Sequence, residues 1–331
     1  MEKTLDKKLE SLRTNRNNSD FIICYAADPD QATGIKFMLD PFESLTAYYK
    51  HLAELVEDAK LDILLTSTST MDCLAREKDL FKGSPVMPAI RTNDSTDNWH
   101  VRGSLYETSL SRPFSTTTIN EARYGTLLPE EEQEINVNLG LYSVTFNNDT
   151  ESDLYSLERL KDFRIEAAYE GFRYFMEIFN PNAPVGLSTD QIPDFVNDCV
   201  SRMLAGIPAS SRPEFLKMQY NGPKAMEQLV SYTSAIVGVL GGSPSTTYDA
   251  FKMLAEAKKY GARVALYGRR ILVSEDPVSY VRFLREVADD NISPEEAVKA
   301  YHGALQDKGI SPTRSLQDDM VIVTPEVKLS L

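Results

Sequence analysis

Two residues carry chemistry that their surroundings do not suit. Lys217 lies in EFLKMQY between Leu216 and Met218, and Glu177 lies in RYFMEIF between Met176 and Ile178. Burial in an apolar strand penalises a charged group, so each must find a partner or lose its charge. Desolvation lowers a lysine pKa, and a neutral amine is the nucleophile that forms Schiff bases with carbonyl compounds. A carboxylate on the adjacent strand can supply the general acid and base that such chemistry needs. The same pair also suits an internal ion pair, and a lysine at a barrel rim can snorkel to water. The residues alone leave both readings open.

Further polar residues follow short apolar runs. AADPD supplies Asp28, with Asp30 in reserve; PVMPAIR ends in Arg91. GGSPSTT, with Gly241, Gly242 and Ser243, precedes a helical stretch, and ARVALYG ends in Gly268 followed by Arg269 and Arg270. Glycine turns at a helix start let backbone N–H groups approach an oxyanion. Arg269 adds a planar forked donor, and Arg270, one residue on, is expected to point the other way. GGSPSTT lacks the GK[ST] ending of a Walker loop. Trp99, His100 and Arg102 sit in TNDSTDNWHVRG, where they either line a pocket or belong to the surface.

The elements that must position these residues alternate. Strands are expected at 20–27, 61–67, 85–91, 135–146, 173–179, 214–220, 235–241 and 262–268. Helices are expected at 42–59, 70–80, 152–171, 191–205, 223–231, 245–260 and 277–289. A further helix opens at Ser293, with Pro294 as its first residue and Glu296 as capping-box partner. Residues 92–133 form a long polar segment with a weak helical stretch near 119–125. Eight apolar strands alternating with helices predict a single-domain α/β fold, a (β/α)8 TIM barrel, with chemistry at the C-terminal strand ends. We divide the chain into an N-terminal helical extension (1–19), the barrel (20–290) and a C-terminal helix and tail (291–331).

Composition narrows the function. The chain has 331 residues and a net charge of −14, with 42% hydrophobic and 25% charged residues. So acidic a chain is a poor general binder of nucleic acid or of anionic membranes, and any anionic ligand needs local cations. No apolar run spans a bilayer, and the polar start MEKTLDKKLESLRTNRNNSD is not a secretory signal. Cys24, Cys73 and Cys199 are odd in number and far apart, which points to a reducing, cytoplasmic setting. His51, His100 and His302 are equally scattered, so no metal or other cofactor is expected. A homo-oligomer is compatible with the chain.

Taken together, these residues resemble the class I aldolases of the DeoC/LacD family, particularly tagatose-bisphosphate aldolase, over residues 20–290. FLKMQY looks like the family's sixth strand, with its Schiff-base lysine matching Lys217. RYFMEIF looks like the fifth, with its acid/base glutamate matching Glu177. IVGVLGGS through GARVALYGRRI resembles strands seven and eight with their phosphate-binding turns, and YAADPDQATG the first strand, with Asp28 as its catalytic aspartate. Sugar-bisphosphate members carry a second lysine on strand four; here that strand reads NVNLGLYSVTF. The resemblance implies a carbon–carbon lyase acting on a ketose, phosphorylated or otherwise anionic, with Arg91, Gly241, Gly242, Ser243, Gly268 and Arg269 at the substrate. The alternatives are a transaldolase- or thiolase-like carbonyl transfer, and a non-catalytic sugar-phosphate-binding barrel with Lys217 in an ion pair.

Overall fold

The computed structural model describes residues 1–58 and 60–329. Ala59, at the end of one expected helix, and Ser330 and Leu331, at the end of the expected tail, lie outside the described residues. Eight parallel strands close into a barrel: β1 (Ile22–Ala26), β2 (Ile63–Thr66), β3 (Met87–Arg91), β4 (Leu139–Thr145), β5 (Arg173–Phe179), β6 (Leu216–Met218), β7 (Val237–Leu240) and β8 (Val264–Tyr267). Each strand pairs with its neighbour in sequence, and β8 returns to β1 with Tyr25 opposite Tyr267. The expected strands are all present; that at 173–179 keeps its expected bounds and the others are shorter. The expected α/β class and barrel architecture are the observed ones.

Alternation along each strand divides the core in two. Ile22, Cys24, Ile63, Leu65, Met87, Ala89, Leu139, Leu141, Phe175, Phe215, Val264 and Leu266 fill the barrel interior. Ile23, Tyr25, Leu64, Ile90, Met176, Ile178, Leu216 and Met218 face outward to the helices. The outer layer includes α2 (Leu45–Asp58), α3 (Thr150–Tyr169), α4 (Ile192–Ala205), α5 (Pro223–Tyr232), α6 (Thr247–Lys259), α7 (Pro277–Ala288) and α8 (Pro294–Asp307). The capping box at Ser293 and Glu296 forms as its spacing predicts.

The N-terminal helix α1 (Thr4–Thr14) closes the barrel floor. Leu5, Leu9 and Leu12 share one helical face and join the interior cluster. Each such buried leucine contributes about 1.5–3 kcal/mol. Lys8 and Arg285 converge on buried Asp62 and tie α1 and α7 to the barrel.

Two regions depart from expectation. The stretch 70–80 is one α-turn, Thr68–Met71, running into a π-turn, Asp72–Glu77, rather than a regular helix. The segment after β3 contains a small antiparallel pair, Asp94–Ser95 with Pro113–Phe114, and a short helix, Ile119–Tyr124. Buried Asp97 accepts hydrogen bonds from Ser111 (2.6 Å) and Thr145 (2.7 Å), fastening that segment to the top of β4.

Candidate active site

The inward parity of each strand, carried one step above the apolar interior, places the polar residues. Counting by two, Met87 and Ala89 lead to Arg91, Leu141 to Ser143, Phe175 to Glu177, Phe215 to Lys217, and Cys24 and Ala26 to Asp28. Register aligns them: Ser143 pairs with Glu177 on β4 and β5, and Glu177 with Lys217 on β5 and β6. Five strand ends therefore deliver one polar layer at the C-terminal mouth, where barrel chemistry belongs.

This layer is a closed network. Lys217 Nζ forms an ion pair with Glu177 Oε1, and both side chains are buried. Arg91 Nη2 donates to Glu177 Oε2 (3.2 Å), its Nη1 to Ser143 Oγ (2.9 Å), and its Nε to Asp28 Oδ2. Ser143 Oγ donates in turn to Glu177 Oε2 (2.8 Å), and the Ser143 N–H donates to Asn93 Oδ1 (2.7 Å). Two carboxylates thus face two cations in a buried layer. Burial by itself raises the Glu177 carboxyl, but the Lys217 ammonium and then the Arg91 guanidinium outweigh it and hold it below the ordinary carboxylate range. Burial works against the Arg91 charge too, and Asp28 and Glu177 overcome it, raising the guanidinium above its usual value.

The sequence assigns Arg91 to the substrate, whereas the structure spends its three nitrogens on the protein's own groups. No lysine stands on β4; the second cation of the cluster comes from β3, and the β4 residue level with Glu177 is Ser143. Ser143 and Asn93 are the site residues that reading by residue type missed. Ser143 is recoverable by the same alternation that marks Glu177, because it follows Leu141 by two.

Above the network lies a cavity lined by Asp28, Arg91, Glu177 and Lys217, and also by Gly241, Gly242, Gly268 and Arg269. Gly268 is needed by packing: a Cβ there would meet Ala26 O at 2.7 Å. Gly242 has φ 69°, a left-handed turn that redirects the chain. Ser243 consequently leaves this cavity and lines a neighbouring one with Arg270 and the C-terminal segment at Val323 and Thr324.

The helix expected to aim its N-terminus at an anion does not do so. Helix α6 starts at Thr247, and its first N–H groups are taken by Asp319 Oδ1 (2.7 Å) and the Thr246 hydroxyl (3.1 Å). Arg269 and Arg270 do diverge, through a short helical turn rather than a strand, because β8 ends at Tyr267. Arg269 stands exposed at the cavity mouth, where surrounding protein and then Arg270 lower its guanidinium, partly offset by Glu177. Arg270 is buried against Asp249 (3.0 Å) and the Gly241 carbonyl.

Asp30 is separated from the network. Its Oδ2 accepts from the Ser67 and Thr70 hydroxyls (the latter at 2.8 Å), and burial raises its carboxyl, with those hydrogen bonds opposing. His100 lines the Lys217 cavity together with Asn98, Phe37 and Phe179. Trp99 instead packs on Tyr106 and Phe114, with ring centroids 5.5 and 5.0 Å away, and Arg102 is exposed.

No family model matches the chain. A curated protein of Saccharolobus solfataricus described as an uncharacterized aldolase is 25% identical over 248 residues, covering 71% of this chain and 80% of that protein. A solved Schiff-base-forming fructose-1,6-bisphosphate aldolase superposes with a TM-score of 0.63 at 16% identity, over 85% of this chain and 99% of that one. The fructose-bisphosphate aldolase of Slackia heliotrinireducens gives a TM-score of 0.66 at 12% identity, over 91% of each chain. The chain is thus a (β/α)8 barrel with the fold of a Schiff-base-forming aldolase, and it resembles a curated aldolase in sequence.

Proposed function

We propose that the protein is a class I aldolase, a carbon–carbon lyase that cleaves or forms a bond of an anionic ketose through an imine at Lys217. The observation that carries this reading is the buried Lys217–Glu177 pair lining a cavity that Arg269 and two glycine turns also line. In this reading Glu177, in contact with the ammonium, accepts its proton as the amine adds to the ketone. Glu177 then returns that proton to the carbinolamine hydroxyl, directly or relayed through Asp28, and the hydroxyl departs as water. The resulting iminium accepts the electron pair released when the neighbouring carbon–carbon bond breaks. Arg91 holds both carboxylates at fixed positions. Gly241, Gly242, Gly268 and Arg269 bind the anionic end of the substrate, with Ser243 outside the contact. A phosphate is the anion that a forked guanidinium beside glycine turns suits well, so a sugar phosphate is the substrate class we favour.

The same ion pair favours a second reading, a barrel that binds sugar phosphates without reacting. Borohydride reduction followed by mass spectrometry separates the two. A panel of phosphorylated and unphosphorylated ketoses is expected to leave a covalent adduct on Lys217. Ligand binding without an adduct would replace the lyase by the binding protein. Transaldolase- or thiolase-like transfer would show as adducts whose carbonyl fragment passes to a second acceptor. A cytoplasmic location and a homo-oligomeric assembly remain part of the proposal; among the described residues no helix is long and apolar enough to cross a membrane.

A further inference from the structure

The network around Lys217 holds its two carboxylates tightly, and this leaves one step of the proposed reaction without a free base. Glu177 is bound by Lys217, Arg91 and Ser143, and Asp28 by Arg91. Breaking the carbon–carbon bond of a β-hydroxy iminium requires removal of the proton from that hydroxyl. Among the described residues, His100 is the single imidazole that lines the cavity.

His100 is held for such a task. Its backbone N–H donates to Ala32 O (2.9 Å), which ties the long segment after β3 to the turn after β1. Its Nδ1 lies 2.6 Å from Glu107 Oε2. A carboxylate can only accept there, so Nδ1 carries the hydrogen, and in the neutral imidazole Nε2 is the nitrogen with the lone pair. Nε2 has no hydrogen-bond partner among the described residues. Glu107 is itself anchored, because Asn182 Nδ2 donates to the carbonyls of Glu107 (2.8 Å) and Ser109 (2.7 Å). The packing of Trp99 against Tyr106 and Phe114 stiffens the same segment. The segment thus presents an oriented imidazole to the cavity that Lys217 also lines.

Resting on the imine reading, we propose that His100, oriented by Glu107, is a further catalytic residue that moves the proton of the substrate hydroxyl during bond cleavage. Nε2 takes the hydroxyl proton as the C–O bond becomes a carbonyl and the carbon–carbon bond breaks. The released electron pair forms the enamine and neutralises the iminium nitrogen. In the direction of synthesis the imidazolium gives the proton back to the new alkoxide. No oxidant, reductant or metal enters the balance. The charged groups that share the cavity with His100 are Asp28, Arg91, Glu177, Lys217 and Arg269, with Glu107 in direct contact.

The test uses the full-length protein and a panel of dihydroxyacetone phosphate, fructose 1-phosphate, fructose 1,6-bisphosphate and unphosphorylated fructose. His100→Ala is expected to trap a borohydride adduct on Lys217 as the wild type does. Cleavage should fall about 10²- to 10⁴-fold, the usual range for losing a general base. Free imidazole should restore part of the rate, because the mouth is open to solvent. Glu107→Gln should lower cleavage less than His100→Ala. Normal cleavage by His100→Ala overturns the inference. So does a parallel loss of adduct and cleavage without rescue, since that marks a structural role. Absence of any adduct in the wild type overturns the imine reading itself, and this inference with it.

Discussion

Glu177 and Lys217 are register partners on adjacent parallel strands, and their side chains meet as a buried ion pair above the apolar interior of the barrel. The pairing fixes the distance between amine and carboxylate by backbone hydrogen bonding rather than by loops. A group held on a strand keeps its position more accurately than one held on a loop, which suits proton transfer over a single hydrogen bond.

Lys217→Ala should lower turnover by several orders of magnitude, because it deletes the covalent nucleophile. The fold should persist, since Arg91 still neutralises Glu177. Steady-state rates and circular dichroism check this together. Near-normal turnover in the variant would end the imine mechanism.

Glu177→Gln should slow turnover about 10²- to 10⁴-fold while leaving a trappable adduct. The amide keeps the shape of the side chain but cannot cycle a proton. Mass spectrometry after borohydride treatment reads the adduct, and loss of the folded state instead would assign the pair to structure alone.

Arg91→Met should cost about 3–5 kcal/mol of stability, because it strips the shared cation from two buried carboxylates. Asp28 loses its Nε partner, and Glu177 is left with Lys217 and Ser143. Urea unfolding measures the change. A loss comparable to that of an exposed substitution would show that Arg91 does not hold the site together.

Arg269→Ala should leave stability unchanged, given its exposure, and weaken binding of inorganic phosphate. A charge-assisted hydrogen bond contributes about 1.5–3 kcal/mol, which corresponds to roughly 10- to 100-fold in affinity. Calorimetry with phosphate, repeated in sulfate, checks both the loss and the competition. Unchanged phosphate affinity would remove Arg269 from the anion site.

His51 supplies a pH prediction away from the site. Its Nε2 shares a hydrogen bond with the Tyr25 hydroxyl (3.0 Å), and burial lowers the imidazole to about 4. Below about 6.5 the unfolded chain takes up a proton that the folded chain refuses until the lower value is reached. The unfolded state therefore binds more protons across that window, and stability falls as the pH is lowered through it. The slope from this one group approaches about 1.4 kcal/mol per pH unit. Urea unfolding at several pH values should show a smaller slope for His51→Gln, whose amide can share the same hydrogen bond with Tyr25. An identical slope in the variant would show that His51 does not carry the effect.

Much of the site was legible because the barrel converts residue order into position. Alternation with period two is a property of the extended chain, so Glu177 and Lys217 announce themselves as charges out of place among apolar neighbours. Eight apolar runs separated by helical stretches leave few topologies, and closure into a barrel follows from that count. Strand ends were less legible, because parallel pairing stops where neighbours stop: β6 spans only Leu216–Met218 within the longer apolar run.

What the sequence alone determined is therefore the order of the strands and the placement of Glu177 and Lys217 as charges on adjacent strands. Only the tertiary structure decided who meets whom. Arg91 and Asp28 are 63 positions apart and belong to different strand ends, so their contact depends on barrel closure and tilt. Arg91 is turned toward the protein's own carboxylates because a buried guanidinium must find partners, and Asp28 and Glu177 supply them. Ser243 is turned away because Gly242 adopts a left-handed conformation that no local pattern specifies. His100 reaches the cavity because its backbone N–H finds Ala32 O across the mouth, a long-range bond that leaves no trace in the spacing of residues.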